Sequence, residues 1–175
     1  MSRMRIVLLS LLLACMSLGA QTPPQSDFDR ARQHFQQGKF QDARGILERL
    51  AKTKGASAEI HSLLGFVELR LYPARPERAE ASFRKALALD RNDLYGNYGF
   101  AKLLARVGRL GESLPFFERA VAVAATYPQL RHAHGAALFR LGRLKEAWPE
   151  FRSSASLPSS VENLALIEAK RERHT

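Results

Sequence analysis

The chain has 175 residues, enough for one domain or one short repeat array. Its 25% charged and 46% hydrophobic residues, with no long polar or low-complexity tract, exclude a globally disordered chain. The formal net charge of +10 suits acidic proteins, nucleic acid or anionic membrane surfaces as partners and does not choose among them.

Residues 1–20 read as a secretory signal. Arg3 and Arg5 give a positive start, Ile6 to Ala14 an apolar core, and Ser17-Leu18-Gly19-Ala20 the small residues of a cleavage region. The apolar run from Ile6 to Ala20 falls short of the roughly 20 residues that cross a bilayer, so no transmembrane helix is expected in the mature chain. The alternative, a buried first helix, would have no polar face. The only cysteine is Cys15, and Leu12-Leu13-Ala14-Cys15 resembles a bacterial lipoprotein box. Two routes stay open: cleavage near Ala20, or lipidation at Cys15 with acyl chains anchoring the protein to a membrane. Either way the chain is expected to be exported, to a bacterial periplasm or as a secreted protein. Cleavage after Ala20 removes Arg3 and Arg5 and no acid, leaving +8, and it leaves no cysteine, so the core must supply stability without a disulfide. Residues 21–25 (Gln21-Thr22-Pro23-Pro24-Gln25) read as a stiff, extended linker.

The rest of the chain repeats itself. Phe83, Phe117 and Phe151 are spaced by 34, as are Ala79, Ser113 and Ala147, and Ala86, Ala120 and Ser154. The pairs Gly108/Gly142 and Pro115/Pro149 keep the same period. Ala43 precedes Ala79 by 36, and Gly38 precedes Gly108 by 70, so one two-residue insertion explains every offset. It belongs in the proline-rich stretch Leu71 to Pro76, which has no glycine turn.

Each unit reads as two helices. Asn97, Phe100, Ala101 and Leu104 follow helical spacing, Gly108-Arg109-Leu110 turns the chain, and Leu114, Phe117, Ala120 and Val121 line one side of a second helix. Glycine ends a helix cheaply in the left-handed region. Pro115 and Pro149 are expected in the first turn of their helices. Ala31, Gly65, Ala101 and Gly135 take equivalent places in the four first helices. Ala43, Ala79, Ser113 and Ala147 do so in the second helices. Small residues facing each other let helix axes approach, and the phenylalanines fill the space between units.

These residues resemble the tetratricopeptide repeat family. Its pattern runs through Gly38-Lys39-Phe40, Ala43, Leu47 and Leu50. It continues through Gly65, Ala79, Phe83, Ala86 and Asp90, then Ala101, Gly108, Ser113, Phe117 and Ala120, then Gly135, Gly142, Ala147 and Phe151. The resemblance covers roughly residues 25 to 158. It implies an all-α, right-handed superhelical α-α solenoid of four hairpins, at about 26–56, 57–91, 92–125 and 126–158. The sequence departs from the pattern where Asp27, His61, Asn97 and Arg131 replace an early aromatic, and where Arg91 follows Asp90 in place of proline. Residues 159–175 read as a C-terminal capping helix and tail. Ser159-Ser160-Val161-Glu162 has the form of a capping box, and Val161, Leu164 and Ile167 are expected to face the last unit.

No catalytic or metal site is expected, and no cofactor. His132 and His134 are two apart on a helix and point roughly 200° apart, so one packed and one solvated imidazole are expected. No phosphate loop, nucleophile elbow or zinc spacing occurs. The acids fall mostly beside lysine or arginine on helix surfaces, which reads as solvated faces and not an acid/base pair.

The reading is therefore a binding scaffold and not an enzyme. The resemblance implies a concave groove lined by the first helices and a protein partner, offered as a peptide or a helix, in envelope assembly or secretion. Polyanion binding (anionic lipid or nucleic acid) and a structural spacer in an envelope complex are the alternatives. Export argues against nucleic acid, and a membrane enters only through the lipid anchor. Tyr95, Tyr98, Lys102 and Arg106 share a stripe of one first helix, away from its core stripe. Equivalent positions add Arg32, Phe66, Arg70, His132, Phe139 and Arg140. Phe28 belongs to the same set, and it and Arg32 stand where the family's carboxylate clamp has lysine and asparagine, so that clamp is not matched. Arginine forks and aromatic rings together suit an acidic or carboxylate-ended peptide segment. Equally, Arg70, Arg106 and Arg140 sit near helix C-termini, where a cation meets the dipole favourably at about 0.3–1 kcal/mol.

Overall fold

The computed structural model describes residues 26–71 and 74–172. The signal, Cys15, the linker, Tyr72 and Pro73 of the insertion, and the tail from 173 lie outside the described residues. Nine helices and no strand occur among the described residues. In chain order they are α1 (Asp27–Gln36), α2 (Phe40–Leu50), α3 (Ala58–Arg70), α4 (Pro76–Leu89), α5 (Leu94–Arg106), α6 (Leu110–Val123), α7 (Pro128–Arg140), α8 (Leu144–Ser153) and α9 (Pro158–Glu172). Each helix packs on the next, and the first helices α3 and α5 also touch each other, as stacked hairpins require. The architecture is an all-α helical-repeat solenoid. None of the described helices is long and apolar enough to cross a membrane.

Three of the hairpin turns are made alike. Gly38, Gly108 and Gly142 take φ of 74°, 86° and 75°, a region closed to most side chains. The residue after each glycine donates its N–H five residues back: Lys39 to His34, Arg109 to Leu104 and Arg143 to Leu138, each at 2.9 Å. The second unit lacks the glycine. There Leu71 ends α3 in an extended conformation (φ −66°, ψ 150°), and Arg75 N–H donates to Glu68 C=O at 3.1 Å.

The repeating small and aromatic residues form the core. Ala31, Ala43, Ala79, Ala101, Ser113 and Ala147 have no exposed surface, and Phe83, Phe117 and Phe151 are at most 1% exposed. Phe83 and Phe117 reach the next unit, at Phe100 and His134, while Phe151 packs on His132 and Phe139 of its own hairpin. The phenylalanines also fill the space against the small residues of their own first helices. A β-carbon on Gly65 would lie 2.6 Å from Phe83 Cε1, and one on Gly135 would lie 3.1 Å from Phe151 Cδ1. Where Asn97 and Arg131 replace the aromatic, polar contacts do the tying. Asn97 Nδ2 donates to the carbonyls of Arg91 (2.8 Å) and Asp93 (2.9 Å). Arg131 donates to Ala125 C=O (2.7 Å) and pairs with Glu150 (3.0 Å).

Several expectations are corrected. α6 and α8 begin directly after the turn, at Leu110 and Leu144, so Pro115 and Pro149 lie inside their helices and not in the first turn. The carbonyls they leave unpaired belong to Gly111 and Lys145, both exposed, where water can take the bond. α9 opens on Pro158, so the Ser159–Glu162 pattern is not its cap. Ser160 instead turns inward and hydrogen-bonds His132 Nδ1 and Ser154 Oγ, both at 2.8 Å. Ile167 is buried and Leu164 half-buried against the last unit, but Val161 is 52% exposed.

Candidate functional site

The first helices α1, α3 and α5 line a groove of about 490 Å³, closed at one side by the start of α7. α1 contributes Phe28, Arg32, Phe35 and Gln36. α3 contributes Glu59, Leu63, Phe66 and Arg70, a four–three–four spacing that keeps them on one stripe. From α5 come Leu94, Tyr95, Tyr98 and Lys102, and Leu130 of α7 and Tyr127, which precedes that helix, complete the lining. Helix α5 is aimed by its own N-terminus: Asp93 accepts from the Gly96 N–H and from the Ser62 hydroxyl of α3, which ties the two groove-lining helices together.

The lining is aromatic with a cationic end. Burial, and secondarily the neighbouring Tyr127 phenol, raises the pKa of Tyr98. Lys102 Nζ lies 5.2 Å from the Tyr98 ring centre. Burial, followed by the positive charges of Arg70 and Arg106, lowers the pKa of Lys102. No carboxylate among the described residues stands within 4.0 Å of Arg70, Lys102 or Arg106. Arg32 differs, since its guanidinium pairs with Asp29 at 2.6 Å.

Of the stripe residues read from the sequence, Arg32, Phe66, Arg70, Tyr95, Tyr98 and Lys102 come together in the groove. Arg106 stands beside it, next to Lys102 in charge. His132, Phe139 and Arg140 do not belong to it. His132 is half-buried, bonded to Ser160 and packed on Phe151 at 5.6 Å between ring centres; burial lowers its pKa. Phe139 packs on Phe151 and carries Lys170 of α9 over its ring at 5.1 Å. Arg140 donates to Ala105 C=O at 3.1 Å, satisfying a carbonyl near the end of α5. Helix α9 thus covers His132 and Phe139, while Arg140 is turned to the end of α5. The arginine ladder is reduced to Arg70 and Arg106, with Lys102 joining them.

Phe35, Glu59, Leu63, Leu94, Tyr127 and Leu130 line the groove without having been singled out from the sequence. The signal for Glu59 and Leu63 was present, because both continue the Phe66–Arg70 stripe backwards by helical spacing. His134, expected as one of a packed and solvated pair, is buried against Phe117 with its Nδ1 3.5 Å from Glu150. Glu68 and Asp93, expected on surfaces, are 3% and 7% exposed and serve internal contacts. No cluster of three metal-ligating side chains occurs among the described residues.

No family model matches the sequence, and no curated protein does. Solved structures match over most of the chain. A MamA variant, "MamA RS-1 ArsTM double mutant", aligns at TM-score 0.71 and 18% identity over 85% of this chain and 84% of that one. MamA residues 41 to the end from Desulfovibrio magneticus RS-1 aligns at 0.70 and 18%, covering 85% of each chain. YrrB, described as a TPR protein with an unusual peptide-binding site, aligns at 0.69 and 19% over 83% of this chain and 76% of that one. Identities this low carry the fold alone, and with the 34-residue spacing and the hairpin stacking they show that this chain has the fold of a tetratricopeptide repeat array.

Proposed function

We propose that this protein is an exported interaction scaffold, and not an enzyme, that holds an acidic or C-terminal segment of a partner protein in the groove of its first helices. The observation that carries this reading is the cation cluster of Arg70, Lys102 and Arg106 beside an aromatic wall, with no carboxylate in pairing distance among the described residues. All three cations are exposed and open to an incoming anion, and a carboxylate arriving there gains charge-assisted hydrogen bonds. YrrB, with the same fold, is described as having a peptide-binding site, which supports a peptide as the class of ligand. Behind the signal read from residues 1–20, the scaffold works in the bacterial periplasm, either free or held by a lipidated Cys15, and serves envelope assembly.

The test is photocrosslinking in the native host from a benzophenone side chain placed at Tyr98, against the same group at Leu89, which is exposed and outside the groove. A protein captured from Tyr98 and not from Leu89 supports the reading. Capture of anionic lipid or nucleic acid, with affinity that collapses steeply with salt, moves the protein to the polyanion class. Equal capture from both positions overturns the groove as the site.

A further inference from the structure

We propose that the groove is bipolar and fixes the direction of its ligand: a short peptide lies along α3 and α5 with its amino end beside Glu59 and acidic residues at its carboxyl end beside Arg70, Lys102 and Arg106. This rests on the peptide-binding reading above. Helices α3 and α5 run parallel, since each is followed by an antiparallel partner, so equivalent turns lie side by side. Along that shared direction the lining changes character. Glu59 stands in the first turn of α3; Leu63, Phe66 and Tyr98 make an apolar middle; Arg70 ends α3, level with Arg106 at the end of α5, and Lys102 stands one turn before them, level with Phe66. Neither Glu59 nor any of the three cations has an opposite charge within 4.0 Å among the described residues. At the level of Phe66 stand two charges, Arg32, which is already matched by Asp29, and Lys102, which faces the cationic end.

A ligand in the opposite direction would set its acids against Glu59 and its amino group against three cations, and such like-charge juxtaposition disfavours that direction. Helix-end electrostatics alone explains an acid at the start of α3 and arginines at the ends of α3 and α5. It does not explain Lys102, which lies a turn before the end of α5, with its ammonium over Tyr98 and its nearest charges both positive. The size of the ligand follows from the helix. Glu59 and Arg70 are about 16 Å apart along the axis at roughly 1.5 Å per residue, which an extended chain spans in about five residues. A groove of about 490 Å³ suits a segment of that size better than a long helix.

Titration calorimetry at physiological salt tests this with three unblocked hexapeptides. The first has a free amino terminus, a central Leu-Phe pair and two glutamates at its carboxyl end. The second has the same residues in reverse order, and the third replaces the glutamates of the first by glutamine. The first is expected to bind at least tenfold more tightly than either of the others, and Glu59→Lys is expected to erase its advantage over the reversed peptide. Two groove-blocking variants, Leu63→Glu and Tyr95→Glu at an exposed lining position, are expected to abolish binding of all three. If forward and reversed peptides bind equally and both are lost in the blocking variants, the groove takes peptides without direction and this inference is wrong while the peptide-binding reading stands. If no peptide binds, or the blocking variants bind as well as the unaltered protein, both are wrong.

Discussion

The ring of Phe83 occupies the space that a β-carbon on Gly65 would need: Cε1 lies 2.6 Å from that position, and Phe66 and Phe100 hold the ring from other sides at 5.3 and 6.5 Å between centres. Phe83 has no exposed surface and cannot swing away. Gly65→Ala therefore sets a gain in helix propensity of about 1 kcal/mol against overpacking of about 1–3 kcal/mol. We expect a net loss of stability, read as a lower urea midpoint with an unchanged slope. The same exchange at exposed Gly111, where a β-carbon meets nothing within 4 Å, should not destabilise.

Phe117 sits in the middle of the stack, 1% exposed, with the His134 ring 5.9 Å away in the next unit. Phe117→Ala should cost about 3–5 kcal/mol. Because a repeat array transmits loss to its neighbours, hydrogen exchange should speed up in α5 and α7 as well as in α6. Unchanged melting would contradict the repeat register.

The docking of α9 should weaken in mild acid. Burial lowers the pKa of His132 below its ordinary 6.5, so the folded state binds the proton less readily than the unfolded state. The stabilisation is therefore complete above pH 6.5 and is lost as pH falls from there through the lower folded value. Urea midpoints at pH 7.5 and 5.5 measure it: the unaltered protein should lose more stability over that interval than His132→Asn, which keeps a polar group near Ser160 and does not titrate.

Mass spectrometry of the protein from its native host checks export. A terminus near Ala20 or Gln21, or an acylated Cys15 as the first residue, is expected. An intact Met1 terminus contradicts both routes.

The fold was legible because its two strongest signals are periodic. Phe83, Phe117 and Phe151 mark one buried second-helix position repeated, and the three turn glycines mark one backbone conformation repeated. The groove was only partly legible. Helical spacing put Tyr98, Lys102 and Arg70 on stripes that line one groove, because a stripe is a property of one helix. What covers a stripe is a property of tertiary packing, so His132, Phe139 and Arg140 looked equivalent to groove residues although α9 lies over the first two and Arg140 bonds the end of α5. The capping box at Ser159 misled for a related reason: Pro158 already opens the helix, which frees Ser160 to join Ser154 and His132 in the interior.

Binding to the groove is best measured by replacing its cations and not its neighbours. Arg70, Lys102 and Arg106 are exchanged together for glutamine, with Arg140→Gln as the matched control that loses only its bond to the Ala105 carbonyl. The partner segment recovered by crosslinking from Tyr98 is titrated into each protein. The triple variant should keep its melting temperature and bind at least about tenfold more weakly, given about 1.5–3 kcal/mol for a hydrogen bond to a charged group, while Arg140→Gln binds normally. If the triple variant binds the segment as tightly as the unaltered protein, the cations serve only the helix ends and the groove does not recognise an acidic ligand.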